Sequence, residues 1–225
     1  IMPSLVGSEM CIETVAYLDK TIGKGNYLTF LTADHGAVNN AAFLQDQRIP
    51  AGIWNGKSMV KELNQELKAK FYTDKDLVMT IMNYQVFFNT ATIEEAGLDY
   101  AAVKQVVVNR LKKEKIVHYA FDMEKTSTES IPEQLKFRAI NGYNRERSGG
   151  VQIVLKPAHY EYDVAKGTSH GAWNPYDIHI PLVFMGWHIQ HGATTQPHYM
   201  TDIAATVSAL LHIQAPNGCI GTPIF

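Results

Sequence analysis

The chain has 225 residues, of which 46% are hydrophobic and 19% are charged. This is the composition of a globular protein, and it excludes a long disordered or low-complexity section. Twenty basic against 22 acidic residues give a net charge of −2, so no global field favours nucleic acid or an anionic membrane surface. A small anionic substrate would therefore need local positive charge, such as a metal ion. No run approaches the roughly 20 apolar residues of a membrane helix.

Helical and strand patterns alternate along the first part of the chain. Apolar residues at three- and four-residue spacing predict a helix over residues 8–22, which Gly23 ends. A nearly continuous apolar run over 26–32 is typical of a buried parallel strand. A second helix is predicted over 58–71, and a short strand over Gln85–Phe88.

The same alternation continues to the end of the chain. Two capping boxes, Thr92 with Glu95 and Ser130 with Glu133, mark the predicted starts of helices. The elements expected in order are a helix over 92–111, a strand over 116–121, a helix over 130–140, a strand over 151–155, a loop over 163–173, a buried strand over 180–185 and a helix over 201–212. This pattern indicates an α/β fold with a largely parallel sheet. No repeat or linker divides the chain, so residues 1–225 are interpreted as one domain or part of one.

The first candidate site follows the strand predicted over 26–32, in the segment TADHG. In open α/β sheets, ligands bind beyond the carboxyl ends of the strands. Adjacent residues on a strand point to opposite faces, so Asp34 and His35 can serve one site only where the chain turns, and Gly36 eases that turn. Both side chains suit zinc. Two other roles remain open: Asp34 could cap the following helix, and His35 could be hydrogen-bonded in the core.

A second candidate site is the segment GTSHG at 167–171. His170 lies between small residues, so a metal could approach it without obstruction, and the turn at Asn174 and Pro175 would fix the loop. The alternative is an exposed loop histidine. Asp177 is interpreted as a structural residue that caps or holds this loop.

Two segments resemble the alkaline phosphatase superfamily: NYLTFLTADHGAVNN at 26–40 and GTSHGAWNPYDIHIPLVFMGW at 167–187. They are similar to the Asp-His-Gly segment and the later histidine segment of bacterial phosphate-irrepressible alkaline phosphatases, a branch near the nucleotide pyrophosphatase/phosphodiesterases. YMTDIA at 199–204 and GCIG at 218–221 add support. The resemblance covers most of the chain from about Ser8. It implies an alkaline phosphatase-like three-layer sandwich with a largely parallel sheet, of which this chain is the C-terminal part.

The resemblance also implies a mechanism with two zinc ions that share the substrate phosphate. Asp34 and His35 would bind the metal that activates a Thr or Ser nucleophile, and His170 would bind the other metal. The implied reaction of the parent enzyme is hydrolysis of phosphate monoesters, with phosphodiester hydrolysis as the alternative. Such enzymes are exported, which implies a periplasmic or secreted protein.

The family pattern is incomplete in this sequence. No Asp-x-x-x-His segment occurs, and only 33 residues precede Asp34, too few for the nucleophile segment. The nucleophile is therefore expected upstream, and the isolated chain is expected to be inactive. An alternative from another class is a non-catalytic α/β module that associates with itself through an exposed sheet edge.

Overall fold

The computed structural model describes residues 2–162 and 167–225, with side chains from residue 12 onward. The helices are α1 (Met2–Thr21), α2 (Ala41–Asp46), α3 (Gly56–Phe71), α4 (Thr90–Glu95), α5 (Tyr100–Leu111), a 3-10 helix (Met123–Thr128), α6 (Glu133–Gly142), α7 (Pro175–Ile178) and α8 (Asp202–Leu210). The strands are β1 (Leu28–Thr32), β2 (Gly52–Trp54), β3 (Val78–Met82), β4 (Gln85–Phe88), β5 (Val117–Asp122), β6 (Val151–Leu155), β7 (His159–Glu161) and β8 (Leu182–Gly186).

The chain divides into two compact units. The larger unit is Ala33–Ile180, and the smaller unit combines Ile1–Thr32 with Pro181–Phe225. The interpretation of residues 1–225 as part of one domain stays a prediction. In the described part of the chain, no helix is both long enough and apolar enough to cross a membrane.

The core of the larger unit lies between a four-stranded sheet, in the order β3-β4-β6-β5, and the helices α3 and α5. Helix α3 begins where Asn55 accepts a hydrogen bond from the Ser58 amide at 3.0 Å, which satisfies one of the free donors of the first turn. Its Leu63 and Leu67, four residues apart, are fully buried on one face.

A smaller apolar cluster lies beside the parallel pair β2 and β7 in the same unit. Its buried members are Val38, Ala41, Leu44, Ala158 and Tyr160. Three of them lie in or next to α2, and two lie in or next to β7. This cluster packs the segment that follows Asp34 and His35 against the strand that leads toward His170.

The smaller unit contains a two-stranded antiparallel sheet of β1 and β8, in which Leu28 pairs with Gly186 and Thr32 with Leu182. Apolar side chains are exposed on both of its faces. Phe30 is exposed on one face, and Leu31 and Val183, which lie opposite each other, are exposed on the other.

The α/β prediction is confirmed, but the strand pairings differ from the largely parallel sheet that the pattern indicated. Among the described strands, only β2 and β7 pair in parallel. The segment predicted as a buried parallel strand at 26–32 forms β1, which is antiparallel and partly exposed. An apolar run does not specify strand direction. Direction in β3 and β4 is fixed by a two-residue turn, Asn83 and Tyr84, with φ of 50° and 59°.

Other elements also depart from the predictions. The single helix predicted over 92–111 is two helices, because Gly97 adopts a φ of 63° and Asp99 caps α5. Neither capping box forms: Asn89 caps α4, and α6 begins after Pro132 without a side-chain cap. The strand predicted as buried over 180–185 is β8, which exposes Val183. Residues 163–166 of the predicted loop lie outside the described residues.

Candidate metal centre

Asp34 and His35 follow β1 by two and three residues, and their side chains lie close to each other. The His35 amide donates to Asp34 Oδ1 at 3.0 Å, and His35 Nε2 lies 3.5 Å from Asp34 Oδ2. The chain bends at Asp34, which meets the condition under which these adjacent residues could serve one site. The Asp34 side chain is 88% exposed and that of His35 is 37% exposed, so both can be reached by a small ion.

A backbone contact orients the His35 ring. Its Nδ1 lies 2.7 Å from the carbonyl oxygen of Gly36. Because a carbonyl oxygen only accepts hydrogen bonds, Nδ1 is the donor of this contact. In the tautomer with its proton on Nδ1, the lone pair lies on Nε2, beside the Asp34 carboxylate. Histidines that bind metals commonly donate their other ring N–H to a carbonyl or carboxylate in this way.

His170 stacks on His35. The two ring centroids are 3.5 Å apart and the ring planes are inclined by 7°. The lone pair of an imidazole nitrogen lies in the plane of its ring, so two parallel rings do not converge on a single ion. In agreement, the described side chains of residues 12–162 and 167–225 include no group of three or more histidine, cysteine or carboxylate side chains that could hold one metal ion.

Hydrogen bonds join the segment around His170 to the segment that follows His35. Asn40 caps α2 and also donates to the carbonyl oxygen of Gly167 at 2.5 Å. The Tyr160 hydroxyl donates to the same oxygen at 3.1 Å. The Thr168 hydroxyl donates to the carbonyl oxygen of Val38. The bonds from Asn40 and Thr168 link residues more than 100 positions apart. The bond from Tyr160 ties the loop to the buried cluster. Together these bonds fix the positions of the two segments relative to each other.

A second connection lies at Gly36. Its amide donates to the carbonyl oxygen of Asp177 at 2.7 Å. A Cβ atom at this position would lie 2.0 Å from the carbonyl oxygen of Tyr176, so only glycine permits the approach. The Asp177 carboxylate in turn accepts from the Ala172 amide at 2.6 Å. Asp177 therefore holds the loop, the structural role predicted for it from the sequence.

The Tyr176 hydroxyl also helps to hold this loop. It accepts hydrogen bonds from the Ala158 amide at 3.0 Å and from the Asn174 side chain at 2.9 Å. Burial raises the pKa of the Tyr176 phenol above its ordinary value. The phenol therefore stays neutral at physiological pH. Its partner Asn174 is the residue before the first residue of α7.

The structure brings Asp34, His35 and His170 together and excludes the two other roles left open for Asp34 and His35. Asp34 does not cap α2, because Asn40 does. His35 is not a core histidine, because more than a third of its side chain is exposed. The roles of Asn40 and Tyr160 could not be predicted from the sequence, since Asn40 binds Gly167 across 127 positions and Tyr160 accepts from the Ala41 amide across 119 positions.

Comparison with known proteins gives close relatives, although no family model matches. The alkaline phosphatase PafA of Elizabethkingia meningoseptica is 47% identical over 207 residues, which are 92% of this chain and 38% of that protein. The alkaline phosphatase PhoV of Synechococcus elongatus is 46% identical over 210 residues, 92% of this chain and 37% of that protein. A Myroides odoratus relative named calcium-transporting ATPase is 46% identical over 213 residues, with 94% and 39% covered.

Solved structures agree with these relatives. The crystal structure of wild-type alkaline phosphatase PafA superimposes with a TM-score of 0.89 at 46% identity and covers 94% of this chain and 40% of that one. The fold and the Asp-His and histidine segments thus define a chain of the alkaline phosphatase superfamily. Over the part that it spans, it is related to bacterial alkaline phosphatases such as PafA and PhoV. That part is about two fifths of their length.

Proposed function

We propose that the parent protein hydrolyses phosphate monoesters and that this chain contributes Asp34, His35 and His170 as ligands of two zinc ions. The reaction is supported by the two relatives that are named alkaline phosphatases. The metal assignment rests on one distance, the 3.5 Å between His35 Nε2 and Asp34 Oδ2. Nitrogen and oxygen ligands of a tetrahedral zinc ion are about 3.4 Å apart, because each lies about 2.0–2.2 Å from the metal.

The stacked rings support two ions rather than one. His35 and His170 present parallel planes 3.5 Å apart, and the metals of two-metal phosphatases are about 3.5–4 Å apart. Asp34 and His35 would bind one ion, and His170 would bind the other. The bound ions would supply Lewis-acid stabilisation of charge on the phosphate oxygens. The residues of this chain bind and orient them, with His35 held in its metal-binding tautomer by Gly36.

The ligand set of the described residues is incomplete for either ion. Catalytic zinc sites use three protein ligands, whereas this chain offers two to one ion and one to the other. We infer that the remaining ligands and the nucleophile belong to the part of the parent protein that this chain does not span. The isolated chain is then inactive and binds zinc weakly.

A chimera tests the proposal. This chain would replace the matching two fifths of the Elizabethkingia relative, and hydrolysis of p-nitrophenyl phosphate would be measured together with zinc content. The proposal predicts zinc-dependent hydrolysis by the chimera and none by the isolated chain. His35→Ala and His170→Ala should each reduce both zinc content and activity. His118→Ala, which changes an exposed histidine of the same unit, should change neither.

The same assay separates the related activities. A bis-p-nitrophenyl phosphate substrate tests phosphodiester hydrolysis, and ATP is included because the Myroides relative is named calcium-transporting ATPase. A folded chimera that contains zinc and hydrolyses the diester far faster than the monoester would replace the monoester proposal. A folded chimera that contains zinc and hydrolyses none of these substrates would refute phosphoesterase function. Periplasmic or secreted localisation remains part of the proposal, and cell fractionation tests it.

A second candidate function, self-association, is favoured by the exposed apolar side chains of β1 and β8. Phe30, Leu31 and Val183 are each about half exposed, and an isolated two-stranded sheet is marginally stable in water. Sedimentation velocity over a range of concentrations would show a dimer that Leu31→Glu weakens. A monomer at all concentrations would eliminate this candidate.

A further inference from the structure

We propose that Asp177 is a positioning residue that sets the geometry of the metal centre by holding both of its segments at once. The inference rests on the proposed function, in which His35 and His170 are metal ligands. Asp177 lies in α7 and is 4% exposed. It is adjacent in sequence to none of the three candidate ligands, and its contacts lead to both histidines.

The first contact leads to His35. The carbonyl oxygen of Asp177 accepts from the Gly36 amide at 2.7 Å, and the carbonyl oxygen of the same Gly36 accepts from His35 Nδ1 at 2.7 Å. The amide of Gly36 is therefore held by Asp177, and the carbonyl oxygen of Gly36 holds the His35 ring. The close approach at Gly36, where a Cβ atom would meet the Tyr176 carbonyl oxygen at 2.0 Å, leaves little freedom at this contact.

The second contact leads to His170. Asp177 Oδ2 accepts from the Ala172 amide at 2.6 Å, and Ala172 follows His170 by two residues. Between them lies Gly171, whose φ of 91° is accessible chiefly to glycine. The carboxylate therefore fixes the end of a loop that would otherwise move freely at this glycine. Both contacts come from one buried residue, the first through its main-chain carbonyl and the second through its carboxylate. The stacking of His35 on His170 therefore depends on Asp177, and its side-chain share is the contact to Ala172.

The other carboxylate oxygen distinguishes Asp177 from a residue selected for stability alone. Asp177 Oδ1 is buried and has no hydrogen-bond partner in the part of the chain that the structure describes, an arrangement that costs free energy. Asp202 in the smaller unit provides the contrast. It is equally buried, but its two oxygens accept from the Thr222 amide at 3.0 Å and the Tyr199 amide at 2.9 Å.

The test uses the metal-free chain labelled with nitrogen-15 at histidine. The wild-type protein should show a nuclear Overhauser effect between the rings of His35 and His170, and a His35 ring protonated at Nδ1. Asp177→Ala should abolish the effect between the rings while the circular dichroism spectrum is retained. Asp177→Asn should restore it, because the amide oxygen can still accept from Ala172. Asp202→Ala, the matched control, should leave it intact.

Zinc titration of the same samples adds a second readout. Loss of a residue that orients metal ligands lowers metal affinity by about 10–100-fold, so Asp177→Ala should weaken zinc binding by this factor and Asp177→Asn should recover most of it. If Asp177→Ala does not fold, Asp177→Glu replaces it, because the longer side chain displaces the oxygen that binds Ala172. The same loss of the ring-to-ring effect is then expected in the folded protein.

Three results would overturn the inference: an unchanged ring-to-ring effect in the folded Asp177→Ala or Asp177→Glu variant, an equal loss in Asp202→Ala, or no recovery in Asp177→Asn. Failure of the proposed function would look different. In that case the wild-type histidine signals would not respond to zinc, while the metal-free ring contact would still depend on Asp177.

Discussion

Replacement of Gly36 by alanine tests whether the two segments of the metal centre are held against each other. The added Cβ atom would lie 2.0 Å from the Tyr176 carbonyl oxygen, 3.0 Å from its carbonyl carbon and 3.3 Å from Asp177 Cα. These are backbone atoms and cannot rotate away. The segments must separate by about 1 Å to restore normal contact, which would also stretch the 2.7 Å hydrogen bond from Gly36 to Asp177 beyond the usual 3.2 Å limit.

The cost follows from these two effects. Overpacking costs about 1–3 kcal/mol, and loss of the hydrogen bond adds about 0.5–1.5 kcal/mol. Urea denaturation should therefore show Gly36→Ala destabilised by about 2–4 kcal/mol. The control is Gly142→Ala at the end of α6, where a Cβ atom would meet nothing within 4 Å. It should be neutral or slightly stabilising, since alanine restricts the unfolded chain.

The outcome that refutes this reasoning is a Gly36→Ala protein whose free energy of unfolding lies within about 0.5 kcal/mol of the wild-type value, the usual range for surface substitutions. Such a result would mean that the two segments do not press against each other in solution. The stacked arrangement of His35 and His170 would then lose its main support.

Three further predictions concern stability and loop order. Lys104 is 2% exposed and its Nζ lies 2.8 Å from Asp122 Oδ1. Lys104→Met leaves that carboxylate without its partner and should lower the free energy of unfolding, measured by urea denaturation, by about 3–5 kcal/mol. A loss below about 1 kcal/mol would contradict this prediction. The hydrogen bond from Lys104 lowers the pKa of Glu124 from its usual 4.5. The stabilisation from Glu124 is therefore present above about pH 4.5 and is lost as the pH falls through the folded-state value, and the free energy of unfolding measured from pH 6 to pH 3 should fall less steeply in Glu124→Gln than in the wild type. Asn40→Ala removes the cap of α2 and the hydrogen bond to Gly167. It should lower the free energy of unfolding by about 0.5–2 kcal/mol and accelerate amide hydrogen exchange at residues 167–171. Unchanged exchange would show that Asn40 does not hold the loop.

The sequence singled out the candidate ligands because each lies in a short segment that resembles the alkaline phosphatase superfamily. Asp34 and His35 follow an apolar run and precede a glycine, and His170 lies between small residues. Local patterns also predicted β4 and β6 with their observed bounds. The strand directions could not be read in this way, because the turn at Asn83 and Tyr84 needs a left-handed conformation at both residues. Asparagine favours this conformation, but tyrosine does not indicate it.

The support of the site was beyond sequence reasoning for a different reason. Asn40 and Gly167 are separated by 127 positions, and Gly36 contacts Asp177 across a similar distance along the chain. Such contacts depend on how the whole larger unit folds. Asp177 was interpreted correctly as a residue that holds its loop, but its contact with the Asp-His-Gly segment became visible only in three dimensions.

Zinc titration by calorimetry tests the central claim most directly, namely that this chain carries metal ligands of a phosphoesterase. The wild-type chain would be compared with Asp34→Ala and with the control Asp46→Ala, which removes an exposed aspartate of the same unit. We expect weak zinc binding by the wild-type and control proteins and its loss in Asp34→Ala. Equal zinc binding by all three proteins would contradict the assignment of Asp34 and His35 as a metal-binding pair.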